Sequence, residues 1–178
     1  MKEYYFNFEG MQSVADTLGT VTSESIGPRW LDETEMRVWR AFLEANGRLT
    51  QRINDGLKAA GDMTLDDYEV LVHLSESDAH RLRMSELSER LLHSQSRLTQ
   101  RIDRLAGRGY VVREKCPEDR QGTFAVLTPA GLEALQATAP HHLGDVRAAL
   151  IDLIEPHEQA VLADVLERVA QSARLSDA

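Results

Sequence analysis

The sequence has a single cysteine, Cys116. An internal disulfide is therefore excluded, and a thiol with no resolving partner is expected to remain a plain reduced thiol. No run of about 18 or more apolar residues is present to span a bilayer. The opening MKEYYFNFEG has neither the basic start nor the apolar stretch of a secretory signal. A cytoplasmic protein with no membrane partner is expected. Also missing are G-x-S-x-G, the P-loop, G-x-G-x-x-G and H-E-x-x-H, the patterns that carry nucleophilic, nucleotide-dependent and zinc chemistry. Acidic residues are numerous but stand at solvated helical spacing, with no pair set apart for proton transfer. Neither an enzyme nor a cofactor is expected.

Positive charge is scarce overall: 20 Lys/Arg against 29 Asp/Glu leave a net charge of −9. Taken alone, that balance argues against a polyanionic partner. Its distribution argues otherwise. Residues 80–120 hold ten basic and six acidic side chains, a net of +4, while the rest of the chain carries −13. Screening confines the interaction with a phosphate to roughly 8–10 Å at ordinary salt, so the local block is what a nucleic acid would feel. With 178 residues, 42% of them hydrophobic, the chain suits one globular domain, or a small domain with helices that need a partner.

Residues 1–28 show no sustained period, mix Tyr4, Tyr5, Phe6 and Phe8 with Gly, Ser and Thr, and end at Gly27-Pro28, reading as a flexible arm. From Asp32, with Glu35 three residues on as a capping pair, Val38, Trp39, Phe42, Leu43, Leu49, Ile53 and Leu57 recur at helical spacing up to about Gly61. Thr64 caps a second helix whose first turn is acidic and whose buried stripe is Tyr68, Val70, Leu71 and Leu74. Arg81-Leu82-Arg83 reads as a short strand, followed by a short helix with Leu87, Leu91 and Leu92 inward. A turn at His93-Ser94 starts SQSRLTQRIDRLAGRGY, with Leu98, Ile102 and Leu105 on one face and Gly107 or Gly109 as the stop. Tyr110–Arg113 and Phe124–Thr128 are β-prone and flank a polar connector, as in a hairpin with a charged tip. Thr128-Pro129 starts the first of two further amphipathic helices, which Pro140 should bend or interrupt, with a break near Glu155-Pro156.

Two short helices across a tight turn, then a basic hairpin, is the order of a winged helix-turn-helix, which lays its second helix in the major groove of DNA. Opposite Leu98, Ile102 and Leu105 fall Ser96, Gln100 and Asp103, flanked by Arg97, Thr99 and Arg104. Arg pairs with guanine O6/N7, Gln with adenine N6/N7, and Ser or Thr with phosphate or base edges. The competing reading is an ordinary solvated arginine-rich face. Arg101 and Arg108 suit phosphates or intramolecular pairs better than bases, and Arg120 stands at the hairpin tip where a wing needs a cation.

The stretch MSELSERLLHSQSRLTQRIDRLAGRGYVVREKCPEDRQGTFAVLTPAG resembles the DNA-binding core of MarR-family regulators. Shared are a Ser-rich turn, an R-L-T-x-R-I-D-R-L helix, a G-(Y/L)-V-x-R strand, a D-R tip and an L-T-x-x-G exit. The resemblance implies a mainly α fold with a small β-hairpin wing and N- and C-terminal dimerisation helices. Its divisions would be an arm at 1–28, a dimerisation helix at 29–61, the winged domain at 62–128 and C-terminal dimerisation helices at 129–174. It implies a nucleoid-associated homodimeric repressor on a pseudo-palindromic operator, with Ser94, Ser96, Arg97, Thr99, Gln100, Arg101, Arg104, Arg120 and Gln121 at the DNA. The sequence departs from the family at Gln121, where many members carry an arginine able to pair with the recognition-helix Asp. Arg120 is expected to substitute, pairing with Asp103; the alternative is a wing that binds less tightly. Family members respond to small, often anionic aromatic or phenolic compounds, and by resemblance Trp39, Arg40 and His73 would line such a pocket. Trp39 and His73 also read as plain core residues.

The outer helices carry more apolar side chains than residues 62–128 could cover, so a second copy is expected to bury them; packing within one chain is the alternative. Six histidines (His73, His80, His93, His141, His142, His157) form no H-x-x-x-H or tight Cys/His set. A metal-responsive regulator is thus a weaker alternative, as is a winged-helix module for protein partners.

Overall fold

The computed structural model describes residues 29–116 and 122–175. The N-terminal arm at 1–28 and the wing tip, with Arg120 and Gln121, lie outside the described residues. Residues up to Val38 and residues from Trp39 onward form two units. In the first, Asp32 and Glu35 cap the start of α1 reciprocally, each backbone N–H donating 2.9 Å to the other's carboxylate. The Arg29 guanidinium beside Glu35, with the Asp32 N–H, holds the Glu35 carboxyl below its usual range.

Helix α1 spans Glu33–Gly61, and only Ile53 and Leu57 on it are buried. Helix α2, Leu65–Ser75, starts from a complete capping box between Thr64 and Asp67. A short 3-10 turn, Asp78–His80, leads to β1, Arg81–Arg83. Helices α3, Met84–Arg90, and α4, Gln95–Gly107, follow. Strands β2, Val111–Lys115, and β3, Thr123–Leu127, complete a three-stranded antiparallel sheet in the order β1-β3-β2. Leu82 and Arg113 both face Ala125 across it. The hairpin of the sequence reading therefore gains β1 as a third strand.

The core is continuous through Leu57, Leu71, Leu74, Leu87, Leu98, Ile102, Leu105, Val111 and Leu127. Two backbone devices set its corners. Gly109 takes φ +74 just past the end of α4, a left-handed position that glycine occupies without strain. At Gly131 an added Cβ would stand 2.2 Å from the Tyr110 carbonyl oxygen, so only a bare Cα fits. Thr128 completes this L-T-x-x-G exit. Its hydroxyl donates to the Gly109 carbonyl at 2.7 Å and accepts the Gly131 N–H at 3.0 Å, capping α5.

Helix α5, Pro129–Ala149, runs on through Pro140, so the expected interruption does not occur there. The missing proline N–H removes one internal hydrogen bond without ending the helix. A second 3-10 turn, Ile151–Leu153, separates it from α6, Pro156–Leu175. None of the described residues of α6 is buried, and Val161, Val165, Leu166 and Val169 are exposed.

Two expectations of burial fail. Leu92 is 77% exposed rather than inward. Helix α3 ends at Arg90, and the chain then takes a left-handed φ of 53° at Leu92, which swings the side chain off the core face. Trp39 is not a core residue either: it is 49% exposed and stacks on Phe42 with ring centroids 6.3 Å apart.

Candidate nucleic-acid interface

The α3–turn–α4 unit presents α4 by burying one of its sides completely. Leu98, Ile102 and Leu105 have no exposed surface, each such burial being worth about 1.5–3 kcal/mol. Ser94 caps the helix, its Oγ accepting the Arg97 N–H at 3.3 Å and lying 3.1 Å from Ser96 Oγ. Ser88 braces the turn by donating to the His93 carbonyl at 2.6 Å. Ser96, Arg97, Thr99, Gln100, Asp103 and Arg104 are exposed on the other side. The side chains of Arg97 and Gln100 make no ion pair or hydrogen bond among the described residues, so their donors and acceptors are presented outward.

The arginines of α4 divide. Arg101 turns inward, with 15% of its side chain exposed. Its Nη1 donates to Thr64 Oγ1 at 3.0 Å and to Asp67 Oδ1 at 3.3 Å, and its Nη2 contacts Asp66. Of the two roles expected for it, the intramolecular pair is the one formed. Arg104 shares Asp67 Oδ1 at 2.5 Å yet keeps half its side chain exposed. Arg108 donates to the carbonyls of Asp62, at 2.6 Å, and Gly61, at 2.9 Å, and stands over the Tyr110 ring. It thereby joins the end of α4 to the C-terminal end of α1, where a cation complements the exposed carbonyls.

Asp67 is the residue that sequence reasoning missed. Burial works to raise its pKa. The hydrogen bonds from Arg104, the Thr64 N–H and the Thr64 hydroxyl outweigh that and hold the carboxyl below its usual range. One carboxylate, 3% exposed, thus caps α2 and anchors two arginines of α4. The capping pattern at Thr64 was visible in the sequence, but the arginines lie 34 and 37 residues away.

Asp103 also differs from expectation. Its partner is Arg113 of β2, at 2.9 Å, whose guanidinium also donates to the Thr99 carbonyl at 3.0 Å. The expected partner, Arg120, lies outside the described residues. A strand residue that already faces α4 across the sheet satisfies the carboxylate, so the base of the wing is fixed to the helix. Cys116 is buried beside it and accepts a hydrogen bond from Arg83 at 3.1 Å.

Of the three residues expected around an effector, His73 is half-buried while Trp39 and Arg40 are exposed. His73 lines a shallow recess of about 450 Å³ with Glu89, Arg90 and Leu92. Trp39 and Arg40 do not line it. Among the described residues no group of three or more His, Cys, Asp or Glu is placed to hold a metal ion, and no helix is long and apolar enough to cross a membrane.

The MarR family model matches residues 61–122. AbsC, a MarR family transcriptional regulator from Streptomyces coelicolor, is 44% identical, with a TM-score of 0.79 over 83% of this chain and 99% of its own. A second MarR family regulator from Streptomyces coelicolor, solved in complex with DNA, is 40% identical, with a TM-score of 0.80 over 82% of this chain and 91% of its own. The regulator MhqR of Bacillus subtilis is 24% identical over 136 residues, 76% of this chain and 88% of its own.

Proposed function

Because this chain belongs to the MarR family, whose members are DNA-binding transcription regulators rather than enzymes, we propose that it is a cytoplasmic, nucleoid-associated homodimeric repressor of a pseudo-palindromic operator. The observation that carries sequence-specific binding is α4 itself. A helix pinned by three fully buried side chains and by Asp67 presents Ser96, Arg97, Thr99 and Gln100 outward. These groups suit base edges and phosphates, with Ser94 and the exposed part of Arg104 beside them. Arg120 and Gln121 would extend the contact into the adjacent groove from the wing tip.

Dimerisation is supported by what one chain leaves uncovered: Trp39, Phe42 and Leu43 on α1, and a whole α6 with no buried described residue. Most of the stability of a helix in a protein comes from packing its apolar face, so α6 calls for a partner surface. We assign 62–128 to DNA, 29–61 and 129–174 to the dimer, and place the two recognition helices roughly 34–36 Å apart, one turn of DNA. Release by a small phenolic or anionic aromatic ligand, with Trp39, Arg40 and His73 around it, is supported by the family resemblance alone.

One experiment tests the core of this reading. The purified chain is used to select sites from a random-sequence duplex library, alongside sedimentation to measure its mass. The expected outcome is a two-fold motif with half-sites about 10–10.5 base pairs apart and a dimer mass. Gln100→Ala and Arg97→Ala should each relax the preference at one base pair per half-site by about 1–3 kcal/mol. A monomer selecting no motif would refute it.

A further inference from the structure

The two carboxylate oxygens of Asp67 face different partners. Oδ2 accepts the Thr64 N–H at 3.1 Å and the Thr64 hydroxyl at 2.8 Å, which fixes the orientation of the group and leaves Oδ1 facing α4. Helix α2, which carries Asp67, is itself tied to α1, since the Leu65 N–H donates to Asn54 Oδ1 at 2.8 Å. Onto this fixed Oδ1 comes Arg104 Nη2 at 2.5 Å, with Arg101 Nη1 at 3.3 Å beside it. Arg101 is mostly buried there. Arg104 keeps half of its side chain exposed and makes no second hydrogen bond or ion pair among the described residues. A guanidinium has five N–H donors, so most of those of Arg104 remain to be taken up.

Three features suit this arginine to a base edge rather than to a phosphate. Asp67 balances its charge, and attraction to a phosphate depends on charge, whereas a hydrogen bond to a base needs an aimed N–H. The tie to Asp67 restricts the rotamers of Arg104, so less freedom is lost when a base is bound. Arg104 also stands one helical turn past the exposed Gln100. Helical side chains incline toward the N-terminal end, which is the end of a recognition helix that meets the bases. We propose that Arg104 reads a guanine in the major groove, the base with two adjacent acceptors there, and that Asp67 is the positioning residue that aims it. The proposal rests on the DNA-binding reading above and adds to it a determinant of specificity that lies outside the recognition helix, on α2.

The test measures binding of the full-length chain to a selected duplex, to its single base-pair variants and to a scrambled duplex. A salt series is run at a temperature where circular dichroism shows each protein variant folded. Arg104→Gln should reduce the preference for one G·C pair per half-site by about 5- to 150-fold. The double variant Asp67→Asn/Arg104→Gln keeps the net charge of the unsubstituted chain. It should show the same loss of preference, with the slope of log K against log salt unchanged. Asp67→Asn alone releases a charged arginine. Preference at that pair should fall, while binding to the scrambled duplex strengthens and its salt slope steepens by up to about 0.9, one phosphate's worth. Loosened packing of α4 would weaken binding to both duplexes and steepen neither slope, so this result separates aiming from seating. Full preference retained by Arg104→Gln or by Asp67→Asn would overturn the proposal while leaving sequence-specific binding intact. A double variant that loses equally on both duplexes, with a slope shallower by about 0.9, would overturn it too and mark Arg104 as a phosphate ligand. If the Asp67 variants do not fold, Arg104→Gln decides: a loss confined to one base pair supports the proposal, and a loss shared by the scrambled duplex overturns it. Failure of the unsubstituted chain to bind any duplex would instead overturn the DNA-binding reading itself.

Discussion

Replacing Asp67 with Asn exchanges a carboxylate for a neutral amide of nearly the same shape, leaving the packing around it in place. Three consequences add. The capping box of α2 weakens, because an amide cannot accept from the Thr64 N–H, the Thr64 hydroxyl and two arginines at once; loss of a cap costs about 0.5–2 kcal/mol. Arg101, mostly buried, keeps Asp66 but loses its buried partner. Breaking a fully buried pair costs about 3–5 kcal/mol, but Asp66 is half exposed and remains, so a fraction of that applies. Arg104 is half exposed, and solvent screening leaves its share at about 0–1 kcal/mol. The sum is about 2–4 kcal/mol. With a urea m-value of about 2 kcal/mol/M, the midpoint should fall by about 1–2 M. The assay is urea unfolding followed by circular dichroism at one fixed protomer concentration, since the stability of the proposed dimer would depend on it. A double-mutant cycle with Arg104→Gln should give a coupling of about 0.5–1 kcal/mol. A loss below about 0.5 kcal/mol, or strict additivity with Arg101→Gln, would show that Asp67 is not the anchor and refute the reasoning.

Three further outcomes follow from the geometry. Gly131→Ala should destabilise by about 1–3 kcal/mol, read as a lower thermal midpoint, because its methyl meets the Tyr110 carbonyl oxygen; an unchanged midpoint would mean that α5 shifts freely. Leu92→Gly should be neutral to stabilising by up to about 1 kcal/mol, since the left-handed φ of an exposed leucine is relieved; a clear loss would show that Leu92 packs on something in the folded protein. Burial lowers the pKa of His142, opposed by Asp145. A depressed pKa means that the unfolded chain binds the proton first, so this contribution is complete above about pH 6.5 and is lost as pH falls toward the folded-state value. Stability measured from pH 7.5 down to 5 should drop, and His142→Phe should flatten the drop.

Local features were legible in the sequence, and those that depend on distant chain were not. The Asp32/Glu35 and Thr64 caps, the stop after α4 and the burial of Leu98, Ile102 and Leu105 all follow from spacing within one or two turns. Leu92 escaped because a helical period stops meaning anything once the helix has ended, and one backbone angle then decides which way the side chain points. Trp39 escaped because an apolar residue at helical spacing says that burial is needed but not against which chain. The Asp67 anchor and the Asp103–Arg113 pair escaped because each joins residues from different elements, and several carboxylates competed for the same arginines. The role of Gln121 belongs to the wing tip, outside the described residues.

Asp67 and the buried leucines hold α4 from one side only, through contacts that end at Arg101 and Arg104. Positions 96, 97, 99 and 100 take no part in that attachment. If α4 reads bases as proposed, selection could rewrite which operator is recognised by substituting these residues, without touching what keeps the helix seated. A duplicated copy of such a gene would be free to drift to new binding sites while its scaffold stays constant. Arg104 and Asp103 are the exceptions: each is exposed yet tied to another element, Arg104 to Asp67 and Asp103 to Arg113, so on the proposed assignment a change at either would alter recognition and seating together.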